Sequence, residues 1–290
     1  MQVAFVGIGA IGLPMALQIR SAGHDVTGVD VTENARANAR QHGLDAVRRL
    51  SEAPRADVVV VMVATPEQLS SLVDETIAQV KAQRWVIMST VGPASVREQG
   101  ERLRQAGAEV VDAPVTGGVV RARTRELVIF AAGDIADIHA VQPVLEAMGS
   151  VRITGEQLGD GQAIKVVNQH LCSVHIVAAA EALSLAQSLG LDRRRVLELI
   201  ERGAAGSWML SDRGPRMLED TDVEVTSAIN IFVKDSGLVA HAAQDCNAQV
   251  PLLDVAYARY RQAAEAGLGL KDDSRVIETW QPSTELSIAT

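Results

Sequence analysis

The 290-residue sequence predicts an α/β domain followed by an all-α domain, and three observations support this fold class. Short apolar runs alternate with helical patterns through the first half of the chain. A glycine-rich turn separates the first apolar run from the first helical pattern. After about residue 154 the strand pattern stops, and long stretches rich in Ala, Leu, Glu and Arg follow.

The apolar runs predict strands buried on both faces of a parallel sheet. They cover residues 3–6, 26–29, 58–63, 86–88, 110–111 and 127–131. Helical patterns lie between them at residues 11–22, 32–42, 66–82 and 94–106, and the glycines at 23, 43 and 107 stand where helices should end. This alternation is typical of a doubly wound sheet.

The second half predicts helices over residues 161–189, 193–202, 228–244 and 252–266. The first of these is unusually long for a globular protein, so we expect it to run from one lobe to the other. The predicted domains are therefore residues 1–158, which would bind the cofactor, and residues 159–290, an all-helical substrate and oligomerisation domain. We expect the polar tail after Trp280 to be loosely ordered.

Composition excludes several classes of function. A formal charge of −9 and a pI near 5.2 disfavour nucleic acid and anionic membranes as partners. Cys172 and Cys246 show no metal-ligand spacing, so neither a disulfide framework nor a metal site is expected. The chain starts directly with a strand pattern, and no uninterrupted apolar run reaches transmembrane length, which predicts a cytoplasmic location.

Residues 7–12 read Gly-Ile-Gly-Ala-Ile-Gly, directly after a strand and before a helix. In that context the pattern predicts a Rossmann-type dinucleotide site. Gly7 permits a tight turn, Gly9 lets the backbone approach the pyrophosphate, and Gly12 allows close packing of helix and strand. The predicted cofactor contacts in this turn are Gly7, Ile8, Gly9, Ala10, Ile11 and Gly12.

Asp30 ends the second predicted strand, where a carboxylate can accept hydrogen bonds from the adenosine ribose and repel a 2′-phosphate. Val31 and Thr32 follow it instead of arginine, so the sequence favours NAD over NADP. Two alternatives stay open: Asp30 could partly cap the next helix, and Arg36 could still reach a phosphate.

Four motifs occur in order along the chain: the glycine turn extended by Pro-Met-Ala at 14–16, Asp-Ala-Pro-Val-Thr-Gly-Gly at 112–118, Gly-Asp-Gly-Gln-Ala-Ile-Lys-Val-Val-Asn at 159–168, and Lys-Asp at 234–235. With them the sequence resembles the β-hydroxyacid dehydrogenases, the 3-hydroxyisobutyrate dehydrogenase-like family, over nearly its whole length. The resemblance implies NAD-dependent oxidation of a small hydroxy-carboxylate without a metal, in a homodimer or homotetramer.

The resemblance assigns the role of general acid and base to Lys165. Removing a hydride from an alcohol carbon requires loss of the hydroxyl proton, and a partly desolvated lysine can accept it. Helical spacing puts Asn168 on the same face, where it could hold the substrate or orient the ammonium group.

Thr116, Gly117 and Gly118 form a loop whose hydroxyl and N–H groups could surround a substrate carboxylate. Lys234 matches a family lysine beside the nicotinamide and the substrate, and Asp235 would fix its position. The remaining predicted cofactor contacts are Val63, Ala64 and Thr90, at the C-terminal ends of strands.

Three departures from the family pattern concern the substrate: Gln169 replaces a frequent Asn, Arg125-Glu126 replaces a Gly-Thr pair, and Ser236 replaces a Leu. The stretch containing His170 and His175 is similar to the L-threonate dehydrogenase branch, which implies a four-carbon sugar acid. Extra polar groups suit a polyhydroxylated acid because each buried hydroxyl needs a partner.

Arg121, Arg123 and Arg125 would share one side of a strand, and we hypothesise that one of them reaches a second anionic group or a neighbouring subunit.

Three alternatives compete with a hydroxyacid dehydrogenase. They are a nonenzymatic dinucleotide-binding homologue, a reductase of a related semialdehyde or imine, and a 6-phosphogluconate dehydrogenase, which has a much longer helical domain. The presence of Lys165 favours alcohol chemistry over the first two.

Overall fold

The computed structural model describes residues 1–80, 82–219 and 222–280, so the tail after Trp280 lies outside the described residues. The chain divides into two compact units, Met1–Val167 and Asn168–Thr290. The first contains a predominantly parallel sheet with helices, and the described part of the second is helical, which confirms the predicted fold class. A domain boundary after residue 158 stays a prediction.

In the described part of the first unit, nine strands form one sheet in the order β3-β2-β1-β4-β5-β6-β8-β7, with β9 also paired to β8. β1 to β6 run parallel, whereas β8 is antiparallel to β6 and β7. The strands are β1 (Gln2–Val6), β2 (Asp25–Val29), β3 (Ala46–Val47), β4 (Val58–Val61), β5 (Arg84–Ile87), β6 (Glu109–Asp112), β7 (Val115–Thr116), β8 (Leu127–Ala132) and β9 (Gly149–Gly155).

The strands are buried on both faces, which explains their uninterrupted apolar runs. In β4, Val58 and Val60 belong to one hydrophobic core, and Val59 and Val61 belong to the other. Each such valine is fully buried, which stabilises the unit by about 2 kcal/mol per side chain. The helices that cover the faces are α1 (Gly12–Ser21), α2 (Glu33–Gln41), α3 (Pro66–Thr76), α4 (Pro93–Gln105), α5 (Gly118–Thr124) and α6 (Ile135–Glu146).

Five of these elements carry no clear pattern in the sequence. β3 and β7 have two residues each, and β9 is too exposed to form an apolar run. α5 has only seven residues, and α6 contains Pro143. The predicted helix over 66–82 is shorter than expected, because α3 ends at Thr76 and a 3₁₀ turn follows.

The helical unit is built around a core contributed by several helices. These are α7 (Asp160–Ser188), which begins in the first unit, α8 (Arg193–Ile200), α9 (Trp208–Met217), α10 (Ile229–Asp245) and α11 (Pro251–Ala263), followed by a 3₁₀ segment, Asp273–Trp280. Phe232 and Tyr260 stack at 5.1 Å between ring centroids, within a cluster that includes Ile176 and Leu183. α9, which the sequence did not predict, contains Pro215.

Among the described helices, α7 is long and apolar enough to cross a membrane, judged by length and composition alone. Core helices of soluble proteins meet the same criterion, and α7 contributes Ile176, Ala180 and Leu183 to the buried core of the helical unit.

Buried ion pairs attach α9 to the final 3₁₀ segment. Arg213 donates to both carboxylate oxygens of Asp273, at 2.8 and 2.9 Å, and Asp273 is fully buried. Arg216 pairs with the equally inaccessible side chain of Asp272 at 2.7 Å. Because a buried charge without its partner is costly, these contacts fix the end of the helical unit.

We predict that Asp273→Asn lowers the free energy of unfolding by about 3 kcal/mol, because the buried Arg213 then keeps only its ion pair with the more exposed Asp212. Denaturant unfolding followed by circular dichroism would measure this loss. Glu198→Gln, in the exposed pair with Arg195, is the control and should cost less than about 1 kcal/mol. Equal losses in the two variants would contradict the assignment.

Candidate active site

The glycine turn leaves room for a dinucleotide. Gly7 has a φ of +91°, and a Cβ there would lie 2.3 Å from the carbonyl oxygen of Met62, so the protein's own backbone requires glycine. A Cβ on Gly9, by contrast, would meet nothing within 4 Å. The N-terminus of α1 has no side-chain cap, which suits a pyrophosphate held by its backbone N–H groups. The turn therefore fits the cofactor that the sequence predicts.

Asp30 lies next to this turn and is held by two backbone donors. The N–H of Ile8 donates to one carboxylate oxygen at 3.1 Å, and the N–H of Thr32 donates to the other at 2.8 Å. Arg36 donates to the backbone oxygen of Asp30 at 2.6 Å and pairs with Glu33. Since Arg36 is buried and engaged, it is poorly placed to bind a 2′-phosphate, and NAD is favoured.

The remaining predicted cofactor residues lie after β4 and β5. The N–H of Val63 donates to the Ser89 hydroxyl at 2.8 Å, and the N–H of Ala64 donates to Gln68 at 2.8 Å. Thr90 follows Ser89 and is half-buried. These residues therefore lie at the C-terminal edge of the parallel strands, where open α/β sheets bind ligands.

The buried Gln162 amide ties the start of α7 to that edge. Its Oε1 accepts hydrogen bonds from the N–H groups of Val91 and Gly92, both at 3.1 Å. Its Nε2 donates to the Ser89 carbonyl at 2.9 Å and to Asp112 at 3.1 Å. Gln162 is fully buried, so each of these bonds is made in a site without competing water.

Asp112 completes this connection from the end of β6. One of its oxygens accepts from the N–H groups of Gly159 and Gln162, both at 3.0 Å. Burial raises the pKa of the Asp112 carboxyl to about 6, and the hydrogen bonds from Gln162 and Gly159 oppose that rise. Lys165 lies three residues after Gln162 on α7, and it is only 7% exposed. Gln162 and Asp112 both stand in motifs of the sequence, but no role was predicted for either residue.

The Thr116 loop has the backbone that its glycines predict. Gly117 has a φ of +131° and Gly118 a φ of +67°, both disfavoured for other residues. Thr116 is half-buried and Gly118 is exposed, and a Cβ on Gly118 would meet nothing within 4 Å.

The expectation that Arg121, Arg123 and Arg125 share one side of a strand is wrong. Arg121 and Arg123 lie in α5, where residues two apart point in different directions. Arg125 follows the helix in a left-handed conformation, and its Nε donates to the Ala147 carbonyl at 3.0 Å. Gly117 is the N-cap of this helix, and its positive φ allows the turn from β7 into α5.

In the helical unit, the predicted substrate residues Lys234 and Asn168 are connected through Asp235 and Gln169. Lys234 Nζ lies 2.7 Å from Asp235, which also accepts a hydrogen bond from Gln169. Asn168 donates to Gln169 at 2.9 Å. Of the family departures, Ser236 is fully buried and bonds to Ser173, so it joins α10 to α7.

In the described parts of the chain, no group of three or more His, Cys, Asp or Glu side chains is placed to hold a metal. Together, the sheet, the glycine turn and Asp30 define a dinucleotide-binding protein of the Rossmann type.

Comparisons with known proteins extend this class. Residues 2–159 match the family described as the NAD binding domain of 6-phosphogluconate dehydrogenase. Residues 159–280 match a second family, described as NAD-binding of NADP-dependent 3-hydroxyisobutyrate dehydrogenase. The chain is 35% identical to L-threonate dehydrogenase of Escherichia coli K12, covering 97% of this chain and 95% of that protein. It is 29% identical to NAD-dependent L-serine dehydrogenase of Pseudomonas aeruginosa, covering 97% and 98%.

Among solved structures, a 3-hydroxyisobutyrate dehydrogenase from Salmonella typhimurium has a TM-score of 0.89 and 32% identity, over 96% of this chain and 99% of that chain. The chain thus belongs to the 3-hydroxyisobutyrate dehydrogenase-like family of NAD-dependent oxidoreductases, near its L-threonate dehydrogenase branch. The resemblance read from the four motifs is confirmed.

We predict that Asp30→Gly shifts the preference for NADH over NADPH by about tenfold or more toward NADPH, because it removes a charge that repels the 2′-phosphate. Fluorescence titration of both nucleotides would measure the two dissociation constants. Asp25→Asn, at the exposed start of the same strand, should leave the preference unchanged. A preference unaffected by Asp30→Gly would contradict this role.

Asp112 should also make stability depend on pH. Its folded pKa of about 6 lies above its ordinary value of 3.8, so the folded state holds the proton more tightly. The stabilisation that Asp112 contributes is therefore largest below pH 4. As the pH rises to about 6 this stabilisation is lost, and the free energy of unfolding falls by about 3 kcal/mol in all. The difference in unfolding free energy between wild type and Asp112→Asn, measured across this range, should fall accordingly. A difference that is constant with pH would rule this out.

Proposed function

We propose that this protein oxidises one hydroxyl group of a small, polar hydroxy-carboxylate, with NAD as acceptor and Lys165 as the proton-transferring residue. The observation that carries the proposal is the buried position of Lys165 just after the Gln162 anchor of α7. A lysine at the start of a helix that is fixed to the strand ends suits chemistry performed at that edge.

The reaction separates a hydride from a proton. Bound at the glycine turn and Asp30, NAD would supply the acceptor for the hydride from the carbon that carries the hydroxyl group. Lys165 Nζ accepts the hydroxyl proton during oxidation and returns it during reduction. A lysine held in a buried position loses little orientation entropy when it meets the substrate, which favours this role.

The substrate carboxylate is assigned to the Thr116 loop. The left-handed backbone of Gly117 and Gly118 can direct successive N–H groups toward one anion, and the Thr116 hydroxyl adds a third donor. Lys234 supplies a positive charge, and its ion pair with Asp235 fixes its position. Asn168 is assigned to the remaining polar groups of the substrate.

A substrate of the L-threonate type is favoured over 3-hydroxyisobutyrate. The relatives named for L-threonate and L-serine act on acids that carry a second polar group, and Asn168 and Gln169 offer amide groups for such an acid. A buried lysine in the family motif also favours alcohol oxidation over imine reduction or a purely nonenzymatic role. A homodimeric or homotetrameric assembly and a cytoplasmic location remain predictions.

We predict that Lys165→Ala lowers kcat/KM about a hundredfold to ten-thousandfold, because it removes the group that exchanges the hydroxyl proton. NADH formation from L-threonate, D-glycerate and 3-hydroxyisobutyrate would measure it, with NADH binding as a check that the cofactor site is intact. Lys271→Ala, which removes an exposed partner of Asp222, is the control and should keep wild-type turnover. Full activity in Lys165→Ala would refute the assignment.

A further inference from the structure

In the helical unit, the side chains of Lys234, Asp235, Gln169 and Asn168 form a chain of polar contacts, which we call the relay. It determines which group of Asn168 can bind a ligand. Asp235 accepts from Gln169 Nε2 through one oxygen and pairs with Lys234 through the other. Gln169 Oε1 accepts from Asn168 Nδ2 at 2.9 Å. Asp235 is 3% exposed and Gln169 is 7% exposed, so water competes little with these contacts.

The charge on Asp235 sets the direction of every bond in this relay. An ionised carboxylate can only accept hydrogen bonds, so Gln169 must turn its NH₂ group toward Asp235. Its carbonyl oxygen then faces Asn168, which must donate. The Nδ2 atom of Asn168 also lies 3.4 Å from Cys172 Sγ, a weak acceptor for its second hydrogen.

Both N–H donors of the Asn168 side chain are thus bonded within the protein. Its carbonyl oxygen Oδ1 is therefore the group that can bind a ligand. In the described parts of the chain, no protein group donates to that oxygen, and the side chain is half-buried. A ligand that meets Asn168 therefore meets a hydrogen-bond acceptor whose orientation is fixed.

We propose that Asp235 and Gln169 are positioning residues that hold Asn168 as an acceptor, so that the enzyme selects acids with a second donor, a hydroxyl or ammonium group, near the reacting carbon. This inference rests on the proposed function, in which Asn168 faces the substrate. An acid lacking that donor would leave Asn168 Oδ1 desolvated without a partner, which lowers kcat/KM about tenfold or more.

The same two helices provide a matched control. Ser236 on α10 bonds to Ser173 on α7 at 3.1 Å, and both side chains are fully buried. Ser173 also accepts a bond from the Tyr260 hydroxyl through its carbonyl oxygen. This pair joins α7 to α10 without forming part of the relay, so Ser236→Ala tests the effect of losing a polar contact at this interface.

The first test compares kcat/KM for L-threonate with kcat/KM for the two mono-deoxy analogues that keep the oxidised hydroxyl group. We expect wild type to discriminate most strongly against one analogue, and Gln169→Leu to reduce that ratio about tenfold, because Asn168 is no longer oriented. Ser236→Ala should keep the wild-type ratio. A ratio that changes equally in the two variants, or in neither, overturns the proposal.

The second test does not depend on turnover. The side-chain NH₂ resonances of Asn168 and Gln169 would be assigned by their loss in Asn168→Asp and Gln169→Leu. Both should shift in Asp235→Asn and keep their positions in Ser236→Ala. An Asn168 signal that is unchanged in Asp235→Asn overturns the relay. If the signals respond but wild type oxidises no hydroxy acid, the proposed function fails, and substrate selection fails with it, while the relay stands.

Discussion

The placement of the helix that carries Lys165 depends on the buried amide of Gln162. It bonds to backbone groups after β5 and to Asp112 at the end of β6, while Asp112 holds the first N–H groups of α7. A helix whose first turn is held in this way cannot slide or rotate without breaking several buried bonds. Lys165 lies within one helical turn of Gln162, so the contacts between α7 and the sheet determine its position.

The predicted cofactor site lies at the same edge of the sheet. There, steric room at the glycines and the charge of Asp30 are decisive. Gly7 is required because the backbone of Met62 leaves no room for a side chain, whereas Gly9 leaves space for a ligand. Asp30 is oriented by two backbone N–H groups, and Arg36 is bound to Asp30 and Glu33. We propose that Asp30 selects NAD over NADP, and that Arg36 does not oppose this selection because it is already bonded within the protein.

Much of this could be predicted from sequence because the signals are local. The long buried strands produce apolar runs, and the glycine turn has a fixed spacing. Short or exposed elements such as β3, β7 and β9 produce no pattern. α5 has only seven residues, too few for a helical pattern, so the spacing of its arginines predicted a strand instead. The role of Gln162 was not predictable, because its partners Val91, Gly92 and Ser89 lie 70 to 73 residues away.

In the proposed reaction, a hydride leaves the hydroxyl-bearing carbon of a small acid and is transferred to NAD. The most direct measurement uses L-threonate deuterated at its carbon-bound positions, followed by mass spectrometry of the NADH formed by wild type. We expect one deuterium in the reduced nicotinamide ring, since the transferred atom comes from carbon and only the hydroxyl hydrogen exchanges with solvent. Reduced nicotinamide without deuterium, or no reduction with any acid of this class, would show that the protein does not transfer a hydride from such an acid.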